Sequence, residues 1–177
     1  KHEMIMIEDA LERDLPILGI CLGSQLLAHV LGAKVVKAKT MEIGWLDVQR
    51  TGNDDPLFAG YAPTEKVFQL HQDTFEIPKN AVHLKRSDLY EGQAFRYGQK
   101  AYGLQFHLEV DKPMVHRWLK IADNIQMLND SGGLYDAGRI LNDTDAFIGR
   151  NLELAQLTFS KFIEIFQLPA RPELLGS

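Results

Sequence analysis

Hydrophobic residues recur at helical spacing through the first part of the chain. Apolar side chains at positions 4, 7, 11 and 15 alternate with charged ones, which predicts an amphipathic helix over 3–15 that ends at Pro16. A wholly apolar run follows at Ile17–Ile20, as is typical of a buried parallel strand. Residues 26–31 then continue as a helix that ends at Gly32. This succession of helix, strand, sharp turn and helix predicts a layered α/β domain.

The middle of the chain has the pattern of short strands separated by turns. Turn residues cluster at 51–56 and 97–100, between segments rich in apolar residues. The predicted strands are 34–36, 44–50, 66–70, 82–86, 94–97 and 101–106. The last third returns to helical spacing, and its predicted helices are 114–128, 134–141 and 148–166. No internal repeat or long linker divides the chain.

Composition and charge exclude several classes of function. The 177 residues are 45% hydrophobic and 24% charged, which are values of an ordinary folded domain. The formal net charge is −5 without a basic cluster, which argues against nucleic-acid binding. No apolar run reaches the roughly 18 residues of a membrane helix. A single cysteine excludes an internal disulfide and a cysteine-rich zinc site. We therefore predict a soluble, cytoplasmic protein that binds neither nucleic acid nor a membrane.

Cys21 lies where the first predicted strand turns into a helix. Gly19 and Gly23 flank it, and such a turn resembles the nucleophile elbow of α/β hydrolases. Two interpretations stay open at this point. Cys21 is either a small core residue, as free cysteines often are, or a nucleophile activated at a helix N-terminus.

A second polar segment follows the last predicted strand. His107 and Glu109 stand two residues apart, so an extended chain directs both side chains to one face. A histidine oriented by a carboxylate and close to a cysteine is an arrangement for nucleophilic catalysis. By itself, the His-x-Glu pattern also fits an exposed charged pair. Together with Cys21, it favours a catalytic site at the carboxyl ends of two strands.

Four segments of the chain resemble the motifs of the class I, or triad, glutamine amidotransferases. They are GICLGSQ at 19–25, EIGW at 42–45, LHQDTF at 70–75 and QFHLE at 105–109. Their order and spacing are similar to those of the branch that includes the amidotransferase domain of GMP synthase. The resemblance extends from residue 3 to about residue 110.

The resemblance implies a three-layer, flavodoxin-like α/β fold, in which helices cover both faces of a mostly parallel sheet. We expect one such domain over residues 1–177, with a C-terminal helical part over 111–177. The family's domain normally begins with two or more further βα units, which include a glycine-rich loop that helps to form the oxyanion hole. These units are not in the sequence, so we expect an N-terminally incomplete domain.

The resemblance also implies a site that hydrolyses glutamine without a metal or an organic cofactor. Cys21 would attack the side-chain amide to give a γ-glutamyl thioester, His107 would transfer protons, and Glu109 would orient the imidazole. The residues implied on the substrate side, including an oxyanion donor at the helix start, are Leu22, Gln25, His71 and Asp73. Leu108 stands where the family has proline, so we expect a local difference in the backbone and an intact triad.

The identity of the ammonia acceptor is not encoded in the chain. It has no phosphate-binding G-x-x-x-x-G-K-[ST] loop, so the synthetase partner of an amidotransferase would act in trans as a separate chain or would lie outside this sequence. A γ-glutamyl peptidase or hydrolase with the same triad is an alternative, since the acyl half of its substrate is the same. A non-catalytic scaffold of the same fold is a second alternative. An intracellular cysteine protease or chaperone fits less well, because those families generally lack a His-x-Glu on a late strand.

Overall fold

A six-stranded sheet organises residues 2–165, the part of the chain that the computed structural model describes. Its strands are β1 (Ile17–Ile20), β2 (Val35–Arg50), β3 (Thr64–Phe75), β4 (Val82–Arg86), β5 (Ala94–Tyr97) and β6 (Ala101–Leu104). The helices are α1 (His2–Glu12), α2 (Leu22–Val30), α3 (Lys112–Trp118), α4 (Ala122–Asp130) and α5 (Ala137–Ile165), with a 3-10 turn at Pro56–Phe58. The strand order across the sheet is β1-β6-β5-β4-β2-β3.

The direction of the strands differs from the prediction. In the described sheet only β1 and β6 pair in parallel, and the other pairings are antiparallel. Residues 98–100 connect β5 to β6, and so short a connection allows only a hairpin, because parallel strands need a crossover of a dozen or more residues. The prediction of a mostly parallel sheet is therefore wrong for this part of the chain, which has a mixed sheet.

Several predicted elements merge or divide. The predicted strands 34–36 and 44–50 form one strand, β2, with an irregular register between Lys37 and Glu42. The predicted helix 114–128 is two helices, since Ile121 has an extended backbone between α3 and α4. The predicted helices 134–141 and 148–166 form the single helix α5, which has no proline to interrupt it. Phe166 lies outside the described residues.

Helices pack on both faces of the sheet. Phe95 and Ala101 share a hydrophobic cluster with Leu27 of α2. Tyr102, the next residue along β6, belongs to a second cluster, which includes Leu154 of α5. Because successive strand residues point to opposite faces, α2 and α5 cover opposite sides. The expectation of helices on both faces is confirmed.

The sheet curls so that its last strand returns toward the segment after β6. The His107 N–H donates to the carbonyl oxygen of Phe68 in β3, at 2.8 Å. The Cys21 N–H donates to the carbonyl oxygen of Leu104 at the end of β6, also at 2.8 Å. The end of β1, the middle of β3 and the segment after β6 therefore meet at one place.

Candidate active site

Cys21 occupies a sharp turn between β1 and α2. Its φ of 48° and ψ of −106° lie outside the regions that L-residues usually adopt. Its carbonyl oxygen accepts hydrogen bonds from the Ser24 hydroxyl, at 2.7 Å, and from the Gln25 N–H, at 3.2 Å. The side chain is half-buried. These contacts hold the thiol at the N-terminus of α2, as the predicted elbow requires.

Gly19 allows this turn to fold back on the strand. A Cβ atom added at Gly19 would lie 2.6 Å from both the carbonyl carbon and the oxygen of Gly23. Separations under 3.0 Å essentially do not occur for real Cβ atoms, so a side chain at position 19 would displace the turn. A Cβ atom at Gly23 would meet nothing within 4 Å. Of the two flanking glycines, only Gly19 is required by close packing.

The structure brings Cys21, His107 and Glu109 together. His107 Nδ1 donates to Glu109 Oε1 at 2.6 Å, which leaves Nε2 on the side of the thiol. Cys21 is close enough to His107 to raise the pKa of its ring, and the ring packs edge-on against Trp118 with a centroid distance of 5.0 Å. The arrangement has the order of a catalytic triad: a sulfur, an imidazole and a carboxylate that fixes the tautomer.

The electrostatic environment of His107 favours the imidazolium. Burial by itself lowers the pKa of His107, but the hydrogen bonds with Cys21 and Glu109 and the charges of these groups outweigh it and raise the pKa to about 9. At neutral pH His107 is therefore protonated beside the sulfur. An imidazolium in this position can give a proton to a leaving group.

The residues predicted on the substrate side occupy different environments. Leu22 is the first residue of α2 and is exposed, and its N–H has no acceptor within the helix. Gln25 is buried, and its side-chain nitrogen lies 3.2 Å from the Asp73 carbonyl oxygen and 3.1 Å from Gln105 Oε1. Leu22 thus presents a backbone donor near the thiol, whereas the amide nitrogen of Gln25 is directed into the protein.

His71 and Asp73 contact the site indirectly. His71 Nδ1 donates to the Asp73 carbonyl oxygen at 2.8 Å, and Nε2 lies 2.9 Å from Glu42 Oε2. His71 is buried, and these two bonds engage both ring nitrogens. Asp73 is exposed and contributes its backbone carbonyl to Gln25. A direct contact of either side chain with a substrate stays a prediction.

Sequence reasoning missed groups that support the predicted triad. Gln105 Nε2 lies 3.6 Å from Cys21 Sγ, and the motif that contains Gln105 was the available indication of its importance. Asn151 donates to the carbonyl oxygen of Leu108 at 3.1 Å, and both residues are buried. Asn151 therefore holds the backbone where Leu108 replaces proline. Nothing in the local sequence of α5 indicates this contact, because it joins distant parts of the chain.

Other kinds of site find no support among the described residues. No group of three histidine, cysteine or acidic side chains in residues 2–165 could hold a metal ion. Within the same residues, none of the helices combines the length and the apolar character needed to cross a membrane.

Comparison with known sequences shows a family relationship over most of the chain. Residues 1–120 match the family described as glutamine amidotransferase class-I. One subunit of the glutamine-hydrolysing GMP synthase of Methanobrevibacter smithii is 38% identical over 99 residues, which are 55% of this chain and 52% of that protein. GMP synthase of Vibrio atlanticus is 36% identical over 137 residues, which are 75% of this chain and 26% of that protein. The chain thus spans about half the length of the separate GMP synthase subunits that it matches.

Solved structures of similar fold cover nearly all of the chain. A glutamine amidotransferase from Thermotoga maritima has 36% sequence identity and a TM-score of 0.82, over 92% of this chain and 69% of that one. A glutamine amidotransferase from Methylobacillus flagellatus has 28% identity and a TM-score of 0.83, over 96% and 71%. These similarities place the described α/β fold among the amidotransferase domains.

Proposed function

Because this chain belongs to the class I glutamine amidotransferase family, we propose that it hydrolyses the side-chain amide of glutamine to glutamate and ammonia. The observation that carries the proposal is the grouping of three residues: Glu109 binds His107 Nδ1 at 2.6 Å, and Cys21 lies close enough to raise the pKa of the same ring. Each member has the chemical character that its step requires.

The first half of the reaction forms a γ-glutamyl thioester. The Cys21 thiolate attacks the side-chain carbonyl carbon of glutamine, and the Leu22 N–H helps to hold the oxyanion of the tetrahedral intermediate. His107, protonated at neutral pH, gives its proton to the departing nitrogen, so that ammonia leaves. Glu109 keeps the imidazole in the tautomer with Nδ1–H and stabilises its charged form.

The second half returns the enzyme to its starting state. After ammonia has left, His107 is neutral and its Nε2 can accept a proton from water. The resulting hydroxide attacks the thioester carbon, the carbon–sulfur bond breaks, and glutamate leaves. The proton on His107 and the thiolate are thereby restored. No cofactor is required for either half.

The ammonia produced in this way would serve a synthetase in trans. The relatives named as one subunit of GMP synthase support this part of the proposal, because such a name implies a further subunit. A single domain over 1–177 and a cytoplasmic location stay predictions.

The test of the proposed function is release of ammonia and glutamate from L-glutamine by the purified protein and by its Cys21→Ala variant. We expect turnover in the wild type and a loss of about 10³-fold or more in the variant. Both proteins are also assayed on γ-glutamyl peptides. Turnover of peptides without turnover of glutamine would assign the same triad to a γ-glutamyl peptidase. A folded wild-type protein that cleaves neither substrate, with or without a synthetase, would refute the proposal.

A further inference from the structure

A line of buried amides joins the sulfur of Cys21 to the substrate side of the site. Gln105 Nε2 lies 3.6 Å from Cys21 Sγ, and Gln105 Oε1 lies 3.1 Å from the side-chain nitrogen of Gln25. That same nitrogen lies 3.2 Å from the Asp73 carbonyl oxygen. Gln105 is fully buried and Gln25 nearly so. A buried amide is costly unless its polar atoms are bonded, so each partner in this line matters for stability.

The Asp73 carbonyl fixes the direction of every bond in the line. A carbonyl oxygen can only accept, so Gln25 must turn its NH₂ group toward Asp73. Because this NH₂ group also faces Gln105, Gln105 must present its own oxygen to Gln25. The NH₂ group of Gln105 is then directed at the sulfur of Cys21. The hydrogen-bond network therefore determines the orientation of both amides.

The carbonyl at the start of this line is itself held in place. It accepts a second hydrogen bond from His71 Nδ1, at 2.8 Å, and the opposite nitrogen of that ring contacts Glu42 at 2.9 Å. Glu42 also accepts from the buried side chain of Gln93, at 2.6 Å. The direction of the donor at the sulfur thus depends on buried groups of β2 and β3, and not on an exposed side chain.

The thiol also lies 3.9 Å from the Leu70 carbonyl oxygen, which can only accept a hydrogen bond and so cannot stabilise a thiolate. We propose that Gln105 donates an N–H to the Cys21 thiolate and so stabilises the sulfur in addition to His107. Hydrogen bonds to ionised acceptors are roughly twice as strong as those between neutral groups, so this contact stabilises negative charge on the sulfur. It also fixes the position from which the sulfur attacks. The inference rests on the proposed function only in taking Cys21 as the nucleophile.

The test is the rate at which iodoacetamide alkylates Cys21 at pH 7, measured by mass spectrometry. Cys21 is the only cysteine of the chain, so alkylation of the thiol reports on one site. Gln105→Glu keeps the shape and the acceptor for Gln25 but removes the N–H, whereas Gln105→Met removes both. We expect each variant to be alkylated about tenfold more slowly than the wild type, or slower still. With glutamine as substrate, kcat should fall by a similar factor while KM stays near the wild-type value.

Thr144→Val is the matched control. Thr144 is fully buried, accepts from the indole N–H of Trp45 at 2.9 Å and donates to the Ile140 carbonyl, away from the sulfur. The Thr144→Val variant loses a buried hydroxyl and its hydrogen bonds, just as the Gln105 variants lose a buried amide. We nevertheless expect Cys21 in Thr144→Val to be alkylated at the wild-type rate. Circular dichroism and thermal unfolding confirm that each variant is folded.

Two results would overturn the inference. One is wild-type alkylation in a folded Gln105→Glu or Gln105→Met protein. The other is equally slow alkylation in Thr144→Val, since this would attribute the effect to general loosening of the fold. A third result would separate the two proposals. If the Gln105 variants are alkylated more slowly than the wild type, but the wild type releases no ammonia from glutamine, the contact with sulfur is supported and the proposed function is refuted.

Discussion

Cys21 adopts a backbone conformation that is costly for a residue with a side chain. Positive φ at a non-glycine residue of this kind costs about 1–3 kcal/mol and persists only where surrounding contacts maintain it. Here the contacts are the bond from the Cys21 N–H to Leu104 and the three bonds that the Cys21 carbonyl accepts, from the N–H and hydroxyl of Ser24 and from the N–H of Gln25. These contacts therefore maintain a strained backbone that places the Cys21 sulfur close to His107.

The titration of His107 tests the electrostatic part of the site. In the folded protein burial lowers its pKa, but Cys21 and Glu109 raise the pKa to about 9, above the ordinary 6.5. The protonated ring therefore contributes stability that is fully present below about pH 6.5 and is lost as the pH rises through about 9. Glu109→Gln should lower the pKa of His107 by about one unit or more. The stability lost in this variant should be largest near pH 6 and shrink toward pH 9.

Nuclear magnetic resonance of the imidazole measures the titration midpoint of His107 in the wild type and in Glu109→Gln. Urea unfolding at several pH values measures the stability of both proteins. An unchanged midpoint in Glu109→Gln would mean that the carboxylate does not stabilise the imidazolium.

The β1–α2 unit depends on close packing between the strand and the first turn of the helix. Gly19 lies against the backbone of Gly23, so the strand cannot carry a side chain at this point. Cys21 immediately precedes α2, and the curl of the sheet brings the end of β6 and the middle of β3 to the same place. The position of the thiol is therefore a property of three elements and not of the turn alone.

Exchanging the two glycines for alanine separates packing from backbone flexibility. Gly19→Ala should lower the free energy of unfolding by about 1–3 kcal/mol, because its methyl group overlaps the Gly23 carbonyl. Gly23→Ala has open space and lies in a helix, where alanine is favoured over glycine by up to about 1 kcal/mol. We expect it to be neutral or stabilising. Urea unfolding measures both, and equal destabilisation by the two substitutions would contradict this packing.

Local sequence patterns predicted the bounds of some strands closely, but they could not predict contacts between distant parts of the chain. The apolar run of β1 and the turn-bounded segments of β4 and β5 gave the observed bounds, Ile17–Ile20, Val82–Arg86 and Ala94–Tyr97. The continuity of α5 was missed, because the apolar pattern predicted two separate helices over 134–141 and 148–166. The buried hydroxyl of Thr144, which lies between them, bonds to Trp45 inside the protein. The contact of Asn151 with Leu108 also joins positions far apart in the chain, so local patterns could not predict it.

Lys85 is a destabilising feature of the core that lies apart from the proposed active site. Lys85 is 1% exposed, its Nζ has no hydrogen-bond partner, and it lies 4.9 Å from the ring centroids of Phe58 and Tyr61. Burial lowers the pKa of Lys85 from 10.5 to about 8. A buried amine without a hydrogen-bond partner is a liability to the folded state, and the charge of Glu65 does not offset the effect of burial on its pKa. It belongs to the α5 side of the sheet, where the 3-10 turn and β4 meet, and it takes no part in the proposed reaction.

Lys85→Met should therefore stabilise the protein without affecting Cys21. Between about pH 8 and 10.5 the unfolded chain binds more protons at Lys85 than the folded one, so wild-type stability should rise with pH in this window. Methionine fills a similar volume and contacts aromatic rings favourably, so we expect a gain of about 1–3 kcal/mol at pH 7 and a smaller gain near pH 10. Urea unfolding at both pH values measures this change in the free energy of unfolding. The rate of Cys21 alkylation is the control and should not change. A loss of stability at pH 7 would show that the ammonium stabilises the fold.

Trapping of the covalent intermediate tests whether Cys21, His107 and Glu109 form a working triad. The protein is mixed with L-glutamine, quenched in acid within a turnover, digested and examined by mass spectrometry. We expect one γ-glutamyl group on the peptide that contains Cys21, none in Cys21→Ala, and a much reduced amount in His107→Ala. Hydrolysis of glutamine with Cys21 unmodified throughout, and undiminished in Cys21→Ala, would contradict the proposed mechanism.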